Sequence, residues 1–222
     1  IVADAFGKRG QINGAWKIVK CTNNQQNKCD KRIAFWLLGG SGLVFGMVVL
    51  GGWTRLTESG LSMVDWQLLH FCPPRTNQEW EEYFEKYKQY PEFKVKNSEI
   101  TLAEFKRIYF YEHFHRVLGR IIGMYFLLPS VALTATRVIR GRLAKRIWAI
   151  NGLIGFQGLL GWYMVKSGLK EEIVEQQSVP RVSPLRLTAH LGCAFLIYAL
   201  TMRTGVGILR PQVSHQLSLS SK

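Results

Sequence analysis

Apolar residues gather into four blocks along the chain, and the charges lie between them. Ile33 to Trp53 is 21 residues without a charge, and Ile147 to Val165 is 19. Tyr109 to Thr136 is apolar apart from Glu112, His113, His115, Arg116 and Arg120, and Leu187 to Leu209 apart from His190 and Arg203. About 20 apolar residues carry a helix across a bilayer core. The pattern therefore predicts an all-α membrane protein, a bundle of four transmembrane helices over about 33–53, 108–136, 147–165 and 187–209. The membrane domain spans 33–210. Residues 1–32 read as a polar, basic inner arm and 211–222 as a Ser-rich, flexible tail.

The longer outer loop, 54–107, carries local structure of its own. Thr76-x-x-Glu79 is a capping signature, and Trp80, Tyr83, Phe84 and Tyr87 follow at i, i+3, i+4 and i+7. This predicts a short amphipathic helix, either lying flat at the membrane interface or packing on its neighbours. A second box, Thr101-x-x-Glu104, predicts that the next helix begins near Leu102. The second outer loop is 166–186.

Charge fixes the expected orientation. Of the 29 Lys and Arg against 15 Asp and Glu, the excess falls in the arm, in the linker Arg137 to Arg146 and in the tail. The two outer loops are neutral overall. This is the positive-inside pattern, with both termini inside. It explains the basic composition without nucleic acid and leaves anionic lipid as the secondary contact. The four cysteines, Cys21, Cys29, Cys72 and Cys193, form neither a disulfide framework nor a zinc spacing.

Ionisable groups inside a membrane are costly and mark function. On the second helix Glu112 and His115 lie 60° apart by helix geometry, with Arg116, Gly119 and Gly123 close to Glu112 on the same face. His113 points away from His115. The fourth helix offers His190 above small and apolar residues. The two helices run in the same direction, and both histidines fall in the outer half of the bilayer. Two imidazoles at one depth on parallel helices match bis-histidine haem ligation. Arg116 and Arg120, one turn apart, suit the haem propionates, although Arg116 can instead pair with Glu112 at i+4. Zinc held by Glu112, His115 and His190 is the weaker alternative. The glycines, among them Gly42-x-x-x-Gly46, Gly119-x-x-x-Gly123 and the series Gly155, Gly158, Gly161, let helices or a flat ligand approach closely; helix packing explains most of them, and Gly119 and Gly123 are the candidates for the haem face.

Longer stretches carry a resemblance. WTRLTESGLSMVDW from Trp53, Pro73-Pro74, EWEEYFEKYKQYPEF, EFKRIYFYEHFHRVLGR, FQGLLGWYMVKSGL and PRVSPLRLTAHLG together are similar to haem A synthases of the mitochondrial and proteobacterial type. The resemblance covers about residues 33–210. It implies an oxidoreductase that converts a methyl group of haem O to the formyl group of haem A, for cytochrome c oxidase. It places the family's E-x-x-H-R on Glu112, His115 and Arg116 and its later histidine on His190. The histidine pair would take the substrate haem, and Glu112 would accept a proton or stabilise charge beside the ring.

The family has eight helices in two halves, the second holding a b-type haem. This chain matches the first half, which makes a fragment or truncated product the expectation. His215, with nothing apolar around it, does not replace a ligand of the missing half. Cys72 stands alone where bacterial members carry a cysteine pair. The resemblance further implies the mitochondrial inner membrane, with both termini on the matrix side, haem O as substrate and an electron acceptor that the sequence leaves unidentified. Homo-oligomerisation stays open. Two rival functions use the same residues differently: a bis-histidine cytochrome for electron transfer, and a non-catalytic oxidase assembly factor.

Overall fold

The computed structural model describes residues 23–65, 71–169 and 181–210. Most of the basic arm, the serine-rich tail with His215, and part of each outer loop lie outside the described residues. The described chain forms six helices and no strand: α1 (Asn23–Leu56), α2 (Asn77–Lys88), α3 (Pro91–Val95), α4 (Leu102–Ala135), α5 (Gly141–Lys166) and α6 (Pro184–Leu209).

Three of these are long and apolar enough to cross a membrane: Lys28–Leu56 within α1, Leu102–Ala135 and Pro184–Leu209. Helix α5 has 26 residues but no stretch apolar enough to count with them. Asn151, Gln157 and four glycines dilute its hydrophobic stretch. The three apolar helices hide only a minority of their residues inside the fold. Phe35, Phe45, Phe114, Leu128 and Phe195 all stand at least half exposed. Large side chains arranged this way are suited to lipid.

The long helices pack as a ring of antiparallel neighbours in which α1 touches α4 and α6, and α5 touches the same two. Each seam is made by residues that the pattern placed on helices. Trp36 donates its indole N–H to the Tyr125 carbonyl at 3.1 Å, and the Tyr125 hydroxyl donates to the Trp36 carbonyl at 2.8 Å, joining α1 to α4. A Cβ on Gly205 would stand 2.9 Å from Leu38, so α1 and α6 meet through bare backbone. The Asn151 amide donates to Ser130 Oγ at 2.8 Å between α5 and α4. The diagonal pairs, α1 with α5 and α4 with α6, do not pack together. The centre of the ring is thus bounded by four helices and closed by none.

Helix α2 turns its aromatic face onto the start of α4. Phe84 and Tyr87 are buried, each 5.0 Å from the ring of Phe105, and Trp80 meets Tyr109 edge-on at 5.1 Å. The helix packs on its neighbour α4 through this aromatic face. Thr101 and Glu104 complete the reciprocal cap of α4. At α2 the box is shifted by one residue: Thr76 Oγ1 accepts from the Glu79 amide, but the Glu79 carboxylate accepts from Arg75 N–H at 2.7 Å.

Candidate functional site

The site begins with the turn that ends α1. Glu58 takes a left-handed conformation (φ 51°), Glu58 N–H donates to the Arg55 carbonyl, and Ser59 N–H donates to the Thr54 carbonyl at 3.1 Å. This is a Schellman closure with a glutamate where glycine is usual. Ion pairs with Lys96 and, at 3.6 Å, Arg181 hold that glutamate in place. The turn reverses the chain, so that Ser62 and Met63 come back against α4.

Glu112 receives them. It is 3 % exposed. Its Oε2 accepts from Ser62 Oγ at 2.8 Å and from Met63 N–H at 2.7 Å, and its Oε1 accepts from Arg116 at 2.5 Å. Arg116 also donates to the carbonyls of Met63 (2.8 Å) and Asp65 (3.0 Å). The pair at i and i+4 therefore staples the loop 59–65 to the helix. Leu61 fills the far side of that loop, its methyls 2.7 and 2.8 Å from where a Gly168 Cβ would be.

The histidines lie on the unpacked diagonal. His115 belongs to α4 and leans on α1, where a Cβ on Gly51 would come within 3.2 Å of its Cε1. His190 belongs to α6 and leans on α5, where a Cβ on Gly161 would come within 3.2 Å of its Cε1. Each imidazole thus rests on a glycine of the neighbouring helix. The Nδ1 atoms of both are buried without a hydrogen-bond partner among the described residues. Buried ring nitrogens are normally satisfied, so these two are candidates for holding a ligand.

The remaining candidates divide. Gly119 sits under the Met47 methyl, 3.3 Å from a built Cβ, whereas Gly123 has nothing within 4 Å. Gly42, Gly46, Gly155 and Gly158 also face open space, so helix packing does not account for them. Arg120 lies with its guanidinium 5.6 Å from the Phe71 ring centre. His113 is buried on the other side of α4, stacked on Tyr109 at 5.9 Å. Among the described residues no three His, Cys, Asp or Glu side chains converge as metal ligands. The zinc arrangement of Glu112, His115 and His190 is therefore not formed, because Glu112 is turned into the loop. Two imidazoles alone suffice for a porphyrin, which brings its own four nitrogens.

The family model for the cytochrome oxidase assembly proteins COX15-CtaA matches residues 34–222. This chain belongs to that family. Curated relatives agree with the assignment. "Heme A synthase COX15" of Saccharomyces cerevisiae is 52% identical over 185 residues, covering 82% of this chain and 38% of the yeast protein. The Bos taurus protein of the same name is 48% identical over 190 residues (85% and 45%), and "Heme A synthase" of Nitrosospira multiformis 45% over 189 (85% and 51%). The chain thus spans about two-fifths to half the length of these relatives. No solved structure matches it.

Two features of the family member's site escape sequence reading. Gly51 is one of two adjacent glycines at the end of an apolar run, and nothing local distinguishes it as the floor under His115. Gln157 donates from Nε2 to the His190 carbonyl at 2.9 Å, while its Oε1 is buried and unpartnered among the described residues. An amide in the middle of an apolar helix was the available signal.

Proposed function

We propose that this chain is the haem O-handling part of a haem A synthase in the mitochondrial inner membrane, oxidising one ring methyl to a formyl group. The observation that carries the proposal is the histidine pair: two imidazoles on diagonal helices, each backed by glycine, each with a buried nitrogen open. His115 and His190 would hold the haem iron from opposite faces. Arg120 would receive a propionate, with Arg116 beside it, and Gly123 leaves room for the flat ring. Glu112 would act at the oxidised methyl, accepting a proton or offsetting charge. Its three hydrogen bonds fix the carboxylate's position before substrate arrives. Going from methyl to formyl removes four electrons and adds one oxygen atom, which water could supply; the electrons would pass to an acceptor outside these residues.

The membrane arrangement is part of the proposal. Helix α5 joins the three apolar helices as a fourth span, because it is antiparallel to both its neighbours and matches α6 in length. Helix α2 with its buried aromatic face caps the site from the outer loop. The uneven charge supports placing both termini on the matrix side.

The test is extraction of the haem that co-purifies with the protein from membranes containing haem O. Haem O or haem A supports the proposal. Haem b alone favours a bis-histidine cytochrome, and a folded protein without haem favours an assembly factor.

A further inference from the structure

A cleft of about 400 Å³ opens at the end of the bundle opposite Glu112, between the start of α1, the start of α5 and the end of α6. The opposite placement follows from α4 itself, whose run from Glu112 to Ala135 measures about 35 Å at 1.5 Å per residue. Asp30, Arg142, Arg146 and Arg210 line the cleft, with Leu143 and Ile208 among its apolar walls. The volume is within the range of about 300–1,000 Å³ seen for small-molecule sites.

Its three arginines are exposed to solvent and take no partner from the protein's own side chains among the described residues. None of the three guanidinium groups, nor Asp30, has a hydrogen bond or ion pair among the described residues. Arg142 and Arg146 are one helical turn apart, where like charges repel. Both sit in the first two turns of α5, whose positive dipole end disfavours cations. That helix start has no acidic residue in its first turn and no side-chain cap. Positive-inside topology requires basic residues on this side of the membrane, but it does not require them to converge. Arg140 on the same connection satisfies its Nε on the Arg137 carbonyl at 2.7 Å. The three cleft arginines instead line one cleft, with one carboxylate among them.

We propose that this cleft binds a phosphate group, as the headgroup of an anionic phospholipid or as free phosphate. Arginine presents paired N–H donors that match phosphate oxygens. The net surplus of positive charge around the cleft is relieved by an anion. The Leu143 and Ile208 walls give a lipid's glycerol and first methylenes an apolar surface. A basic pocket between helices at a membrane face is a known setting for such headgroups.

The experiment uses the full chain in a neutral detergent, titrated separately with phosphatidylglycerol, phosphatidylcholine and inorganic phosphate. Bound lipid is counted by native mass spectrometry and stability is followed by thermal melting. One equivalent of phosphatidylglycerol should bind saturably and raise the melting temperature, with phosphatidylcholine much weaker. An equal rise with millimolar inorganic phosphate, and no tighter binding of the lipid, would assign the site to free phosphate. Arg142→Gln with Arg146→Gln should weaken binding roughly tenfold or more. Arg137→Gln with Arg140→Gln removes the same charge next to the cleft and should weaken it far less. Asp30→Asn should tighten binding, which no folding defect would mimic. Equal losses from the two arginine pairs, or no saturable binding of either phosphate form, would overturn the proposal. Haem content should be the same in all these variants, since the cleft is remote from His115 and His190.

Discussion

At the scale of single residues, the i, i+4 pair Glu112–Arg116 shows how much one charge pair can organise. The carboxylate takes three donors and the guanidinium takes two carbonyls of the same loop. Removing the acid leaves a buried guanidinium and a buried Met63 N–H without their shared acceptor. Glu112→Ala should therefore destabilise the protein by about 3–5 kcal/mol. Ser62→Ala deletes one hydrogen bond to a charged group and should cost about 1.5–3 kcal/mol. Thermal melting of both variants tests the ranking, and an inert Glu112→Ala would contradict the staple.

The glycine supports make a separate forecast. Gly51→Val would push on His115, and Gly161→Val on His190, so each should weaken haem binding about tenfold or more. Gly42→Ala, with nothing within 4 Å of its Cβ, should leave it unchanged. Equal haem affinity in all three variants would contradict the glycine cradle.

Helical phase was enough to put Glu112 and Arg116 together and to set His113 apart from His115. It was not enough to choose between Arg116 as a propionate anchor and as a partner of Glu112. The pairing with Glu112 that the structure shows is framed by Ser62 and Met63, some fifty residues earlier, which return where Glu58 closes a Schellman turn. Contacts of that range have no local signature. The same limit hid Gly51.

At the scale of elements, the outer-loop helices α2 and α3 form a small aromatic core on α4. Inside it Glu92 is 2 % exposed, accepting from the Tyr87 hydroxyl at 3.0 Å, while Asn97 donates to that hydroxyl at 2.8 Å. Burial is the main cause that pushes its carboxyl up to about 7. The Tyr87 bond and Lys96 work the other way, and Glu112 and Glu58 add to the rise. An acid whose folded value is raised holds its proton in the native state after the unfolded chain has lost it. Stability contributed by Glu92 is thus present below its unfolded value, falls as pH rises through about 4.5 to 7, and is flat above. The expected loss is on the order of 3 kcal/mol. Melting followed by tryptophan fluorescence should fall over that window in the wild type and should change much less in Glu92→Gln.

This segment was legible as a helix from its cap and its aromatic spacing. Its packing partner was not, because the same stripe fits a lipid interface and a protein surface equally well. Helix α5 shows the opposite case. Its charge-free block was easy to see, but its glycines, Asn151 and Gln157 keep it from being among the helices apolar enough by composition to cross a membrane. Asn151 and Gln157 bond to the helices on either side.

At the scale of the whole molecule, the arrangement of four helices in a ring leaves one diagonal for the histidines and the opposite end for the arginines. The all-helical class and the long helices could be read from hydropathy, since block length is a one-dimensional property. Which helices touch could not, because small residues mark close approach without naming a partner. Gly205 meets Leu38, while Gly42 and Gly46 meet nothing. The charge asymmetry makes a forecast that concerns the molecule as a unit. A reporter fused to either terminus should lie on the matrix side, and proteolysis from the other side should cut the loop containing α2 and α3.

The central claim is that His115 and His190 share one haem. The most direct measurement is an optical titration of the purified chain with haem O, in the wild type and in His115→Ala and His190→Ala. The account expects a low-spin, bis-imidazole spectrum in the wild type and its loss in each single variant. A low-spin spectrum that survives both replacements would contradict it.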